Sequence, residues 1–394
     1  MKKNKHTFLY FCIFMDFLLS MQLWIGWQNR IYIFYTIFVV LMTVYIVVKK
    51  VKLSFDKSNL IPALVFVIAF GIYRQPSVLI FSILSLTSLI IILLNEEDRV
   101  CCWRFIYRGF SLLMIPSIIL FLLYITVGIP SLGTIAFSDS ADLPQRYVLR
   151  YNYIFYNTTV LYDMGRFNGP FNEPGHLGMM GAFMLFADGM NLKKKESWPI
   201  LLSVVLSLSL AGYVLFLFGL LFTLYAKGKL KVSTIIGIGL FIFAGYLFAI
   251  NYNNGDNIIN EEIYSRFERD EDKGIVGNNR ITGDMEYYFE TMWDNRDLIL
   301  HGVDCQTMEF LHSTGSSGTG IQAWLIEFGV LGVIQAFLFY IVFALYQKNK
   351  KMAFLFLSFV ILMFLQRSYP YWYAWVICYV YGLTLRKTSL KNIL

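Results

Sequence analysis

Apolar runs long enough to cross a bilayer recur along this chain, and clusters of lysine separate them. A spanning helix needs about 20 apolar residues. The segments 7–26, 31–48, 77–94, 109–129, 175–190, 232–250 and 320–346 are the clear candidates, 175–190 being the shortest of them, and 60–73 is shorter still. Two further runs, 198–226 and 352–385, are too long for one span, yet lysine or arginine clusters bracket each on both sides. Basic loops stay on the cytoplasmic side, so a run bracketed by two of them crosses an even number of times. Each is therefore read as two short spans, the first pair turning near Ser207–Gly212 and the second near Gln366–Pro370.

These spans predict an all-α polytopic membrane protein of about twelve transmembrane helices, a single integral domain over residues 1–394 with both ends inside. Hydrophobic residues make up 57% of the chain and charged ones 15%, and the mean hydropathy is +0.58, which excludes an ordinary soluble or disordered chain. The net charge of +7 is not a nucleic-acid signal, because the bases sit in short clusters between spans. The N-terminal run carries Asp16 and lacks a small-residue cleavage motif, so it reads as a retained span and not a signal peptide. The five cysteines show no ligand spacing, and neither a disulfide nor a metal site is expected.

Two long polar segments fall on the outer side, 130–174 and 251–319. The second carries 14 acids against 5 bases, and its Met285–Trp293 stretch reads as an aromatic helix. In this topology 22 bases lie inside and 11 outside, and ten of the outer eleven are arginine. Arginine grips phosphate oxygens with a planar two-pronged fork and keeps its charge, so outer arginines near the bilayer suit a phosphorylated lipid.

The densest constellation of candidate residues runs from Arg166 through Asn172, Glu173 and Pro174 to His176, directly before a span. Arg146 and Arg150 precede it, and Arg367 lies at the tip of the last hairpin. The second polar segment adds Arg280, His301 and His312, the last before a glycine-serine run. Asp16 and Glu327 lie within spans, where a solvated structural role is expected. Asp270-Glu271-Asp272 is expected to be a solvated acidic run, and Asn157-Thr158-Thr159 fits a glycosylation acceptor.

Three motifs resemble the O-antigen polymerase and O-antigen ligase superfamily of bacterial envelope enzymes. They are R-x-x-G-x-F-x-E-P at Arg166–Pro174, an arginine, an aromatic helix and an L-x-G turn from Arg280 to Gly302, and E-x-G-x-x-G at Glu327–Gly332. The resemblance implies a GT-C-like, inverting, metal-independent glycosyltransferase without a cofactor, in the bacterial cytoplasmic membrane, its site facing the periplasm or outside. It implies an undecaprenyl-diphosphate-linked oligosaccharide as substrate. Other partners would be membrane lipid, with flippase and chain-length regulator proteins. Ligases of the group carry a His-Asn pair where this chain has Ser316-Ser317-Gly318-Thr319, which favours repeat-unit polymerase over transfer to lipid A core. The group's Ser-Arg-Gly hairpin turn is also replaced, by Leu208-Ser209-Leu210-Ala211-Gly212.

Displacing a diphosphate requires stabilised leaving-group charge and an acceptor for the hydroxyl proton. Arg166 and Arg280 are expected to serve the first, and Glu173, with His312 in reserve, the second. Arg146, Arg150, Asn172, His176, His301 and Arg367 are expected to hold substrate. A lipid-linked oligosaccharide flippase is the alternative from another class, but the sequence lacks the paired halves that transporters show.

Overall fold

The computed structural model describes residues 6–27, 30–72, 78–138, 147–160, 165–265, 269–270, 274–275, 281, 283–314, 316, 318 and 320–391. Each expected apolar segment is helical. The helices are α1 (Thr7–Ser20), α2 (Arg30–Lys49), α3 (Lys57–Ile72), α4 (Val78–Leu93), α5 (Glu96–Val127), α6 (Pro174–Asp188), α7 (Ser197–Leu206), α8 (Leu210–Ala226), α9 (Val232–Asn251), α13 (Gly320–Leu345), α14 (Lys350–Gln366) and α15 (Tyr373–Lys391). Among the described residues four helices are long and apolar enough to cross a membrane, namely α2, α5, α9 with its following turn, and α13. The others are shorter apolar helices, and α7, at ten residues, is only about 15 Å long.

Both expected hairpins are present. Helices α7 and α8 are separated at Ser207–Ser209, where Leu208 takes a positive φ and Ser209 caps α8 by accepting from Gly212 N. Helices α14 and α15 are separated at Arg367–Trp372. Helix α5 starts earlier than the apolar run does. Asn95 caps it by accepting from Asp98 N, so Arg99, Arg104 and Arg108 are helical rather than in a loop. Arg99 is buried, and its guanidinium donates to Asn59 Oδ1 and to the Ile92 carbonyl, which ties α3 and α4 to α5.

The first polar segment corrects the all-α expectation. Strands β1 (Thr134–Ser138), β2 (Tyr147–Asn152) and β3 (Asn157–Thr159) form an antiparallel meander in the order β1-β2-β3. Their β-branched and aromatic residues suit extended backbone, and pairing satisfies peptide groups that a bare loop would leave to water. A two-residue pair, β4 (Arg269–Asp270) and β5 (Gly274–Ile275), lies in the second segment. That segment is partly helical as expected, through α10 (Asp284–Thr291), α11 (Arg296–His301) and α12 (Cys305–Ser313).

Helix α6 is the centre of the bundle, buried along its whole length and packed by α7, α8 and α15. Its approach to α8 is backbone to backbone, for a Cβ on Gly212 would lie 2.9 Å from the Gly178 backbone. Small residues allow such contact where apolar side chains on lipid-facing helices supply little drive to associate. Lysines collect at the C-terminal end of α6. Lys194 pairs with Asp188 at 2.7 Å, and Lys227 donates to the Gly189 carbonyl. Arginines collect at its N-terminal end.

Candidate functional site

The segment before α6 is held from several sides. Asn157, fully buried on β3, donates its side-chain amide to the carbonyls of Gly169 (3.3 Å) and Phe171 (3.2 Å). Its Oδ1 accepts from Arg150 Nη1 and Asn168 Nδ2, each at 3.0 Å. Burial and full engagement of this amide overturn the reading of Asn157 as a glycosylation acceptor. Gly169 has φ +59°, a conformation that suits glycine and makes the tight turn. Leu23 pairs with Phe171, and Trp24 N donates to the Pro170 carbonyl, so the connection after α1 braces the same turn. We expect Asn157→Ala to leave four hydrogen-bonding groups without this partner and to cost about 2–4 kcal/mol. A lowered thermal midpoint of the detergent-solubilised protein, followed by gel filtration, checks this.

On this frame Arg166 reaches two other elements. Its Nε donates to the Ser207 carbonyl at the tip of the α7–α8 hairpin (3.1 Å), and Nη1 pairs with Glu262 Oε2 at 2.9 Å. The Glu262 contact joins the two long polar segments, which therefore meet at one end of the bundle. A Cβ on Gly165, which has φ +57°, would lie 2.5 Å from Ile258 Cδ1, so the Ile258 side chain packs against the residue before Arg166.

Glu173 stands immediately before α6, where the helix dipole favours a carboxylate. Its Oε2 pairs with Arg367 Nη2 at 2.6 Å, and His176 Nε2 lies 3.6 Å from the same oxygen. Burial pushes the Glu173 carboxyl up, but His176, Arg367, Arg150 and Arg166 together hold it below the ordinary glutamate range. It is thus the ionised partner of a cluster of guanidinium groups. His176 is buried edge-on against Tyr369 and Trp372, and neither ring nitrogen has a hydrogen-bond partner among the described residues. Asn172 donates to Gln22 Oε1 at 3.0 Å, while its Oδ1 is buried without such a partner among the described residues.

The structure therefore gathers Arg150, Arg166, Asn172, Glu173, His176 and Arg367 around the start of α6. Arg150 is 5% exposed, lies over the Trp27 ring and binds Asn157, so it braces the sheet as well as adding charge. His301 is exposed at the end of α11, 3.9 Å from Asp297. Arg146 and Arg280 lie outside the described residues, as does the side chain of His312, whose backbone is in α12. Asp16 departs from the expected solvated role, being fully buried in α1 with neither carboxyl oxygen hydrogen-bonded among the described residues. Glu271 and Asp272 of the acidic triplet lie outside the described residues.

Sequence reasoning missed Gln22, Asn157, Asn168, Glu262, Tyr369 and Trp372. The aromatic run Tyr369-Pro370-Tyr371-Trp372-Tyr373 at a hairpin tip was the one local signal. Gln22 and Glu262 owe their place to contacts far along the chain, and Asn157 and Asn168 to the closing of the 168–171 turn on β3.

The second and third motifs meet one another. Val303 N donates to the Ile326 carbonyl at 2.8 Å, and α11 packs on α13. Helix α13 is broken at Gly329. Gly302 (φ +71°, ψ −168°) and Gly329 (φ +63°, ψ −168°) share a backbone conformation that is essentially glycine-only. A Cβ on Gly302 would lie 2.6 Å from the Glu327 carbonyl carbon, and one on Gly329 would overlap the Leu300 carbonyl. Comparison with protein-family models, with curated proteins and with solved structures finds no match for this chain.

Proposed function

We propose that the protein is a membrane glycosyltransferase that polymerises lipid-diphosphate-linked glycan repeats on the outer face of the bacterial cytoplasmic membrane. The observation that carries this reading is the arginine cluster on Glu173 and His176 at the start of α6, where the two polar segments touch. On this reading the chain makes about twelve spans, and the arginine end of the bundle faces outward.

In the proposed step a sugar hydroxyl on a new lipid-linked repeat attacks the anomeric carbon of the growing chain from the face opposite the diphosphate. The new C–O bond forms as the bond to the diphosphate oxygen breaks, so the configuration inverts. The departing polyprenyl diphosphate takes the electron pair, and arginine forks stabilise that charge. The hydroxyl proton passes to His176. Glu173, 3.6 Å from the imidazole, offsets the charge it gains. This assigns to His176 the task expected of Glu173, because the carboxylate is already bound by Arg367.

The test uses purified protein in detergent with a lipid-linked repeat unit, with and without an added lipid A core. We expect glycan ladders longer than one repeat. Transfer only to an added lipid A core would establish a ligase instead, and absence of both products would overturn the enzymatic reading.

A further inference from the structure

Beside the arginine cluster lies a cavity of about 270 Å³, walled by five tyrosines and two tryptophans. Its wall shares residues with the site at three places. Ser368, the residue after Arg367, lines it. So do Tyr369 and Trp372, which stack on each other 4.1 Å apart and press their neighbour His176 edge-on. Gln22 also lines it and holds Asn172.

We propose that this cavity is the acceptor subsite and seats a single sugar ring of the incoming repeat, with one hydroxyl turned toward His176. The proposal rests on the glycosyltransferase reading above and names the part of the substrate that this side of the site receives.

Three observations select a sugar. First, the walls combine aromatic rings with polar tips. A pyranose packs its C–H face on such rings and leaves its hydroxyls for polar groups. A polyprenyl chain would be served by branched aliphatic side chains, and Ile31 and Leu84 are the two that line the cavity. Second, behind the wall residues Tyr369, Trp372 and Gln22 the site holds buried polar atoms that have no hydrogen-bond partner among the described residues, namely both ring nitrogens of His176 and Asn172 Oδ1. Buried polar groups are nearly always satisfied, and sugar hydroxyls both donate and accept. Third, the volume lies just below the roughly 300–1,000 Å³ of small-ligand pockets, which accommodates one sugar ring.

The experiment measures binding to the full-length protein in detergent. One probe is the repeat-unit oligosaccharide freed from its lipid by mild acid, and the other is polyprenyl monophosphate. Trp372→Ala removes one wall, and Tyr32→Ala alters a rim position that is 37% exposed, where truncation is tolerated by the fold. We expect either change to weaken oligosaccharide affinity about tenfold while polyprenyl phosphate binds as before. Unchanged oligosaccharide affinity in both variants, or loss of polyprenyl phosphate affinity instead, overturns the assignment. A wild-type protein that elongates glycan yet whose oligosaccharide affinity ignores these walls sinks the subsite alone. A wild-type protein that neither elongates nor binds the oligosaccharide sinks the enzymatic reading with it.

Discussion

Arg367→Ala is expected to slow glycan elongation by about 100-fold or more while the protein still folds, since loss of one charge-stabilising donor costs other enzymes about 10²–10³ in rate. The substitution removes the 2.6 Å partner of Glu173 and leaves a partly buried carboxylate beside the buried His176. Arg367→Lys should recover little, because a point charge does not reproduce the fork. A double-mutant cycle with Glu173→Gln separates the two ways Arg367 can act. If it only orients Glu173, the double variant is no slower than the slower single variant. If it also meets the diphosphate, the losses accumulate. Arg166→Ala should fall in the same range, and Glu262→Ala is its control. A loss in Arg166→Ala that Glu262→Ala reproduces in full would assign Arg166 to pinning the two polar segments together. Elongation within about threefold of wild type in Arg367→Ala, measured at saturating substrate, would remove this guanidinium from the mechanism.

The parts of this architecture legible beforehand are those that depend on local length and charge. Apolar runs gave the helices, and bracketing lysines split 198–226 and 352–385 into hairpins whose breaks fall where they were expected. The same hairpin logic put Arg367 at a tip facing the cluster, where it meets Glu173. What stayed hidden depends on partners distant in sequence. Asn157 looks like any surface Asn-x-Thr triplet until β3 pairs with β2 and the 168–171 turn closes over it. The β-meander was hidden because short, irregular strands in a polar segment carry weak periodicity, and pairing across residues 138–147 supplies what the local pattern lacks. Helix α5 extends past its apolar run because the Asn95 cap and the buried Arg99 bonds reward helix through a charged stretch. His176 illustrates the limit at the site itself. Its position after Glu173 was visible, but its isolation from hydrogen-bonding partners depends on Tyr369 and Trp372, almost two hundred residues onward.

Gly302→Ala and Gly329→Ala are expected to be the most damaging single-methyl changes for folding. Each glycine has a φ near +65° with ψ at −168°, where a side chain costs of order 1–3 kcal/mol. Each also faces backbone and not a side chain that could swing away. Because the two turns pack on each other, relief at one requires moving the other, and α11, α13 and the Val303–Ile326 hydrogen bond shift with it. Strain and overlap together amount to roughly 3–5 kcal/mol, a large share of a domain's stability. The readouts are the yield of monodisperse protein and the susceptibility of the 283–314 segment to limited proteolysis. Gly237→Ala on α9 is the matched control, for a Cβ there meets nothing within 4 Å and its backbone is ordinary helix. It should leave both readouts unchanged, since alanine is the better helix former by about 1 kcal/mol. If Gly302→Ala and Gly329→Ala behave like this control, the two turns do not clasp, and the break in α13 has another origin. If both fail while Gly237→Ala does not, the clasp is what fixes α11 and the turn after it on α13.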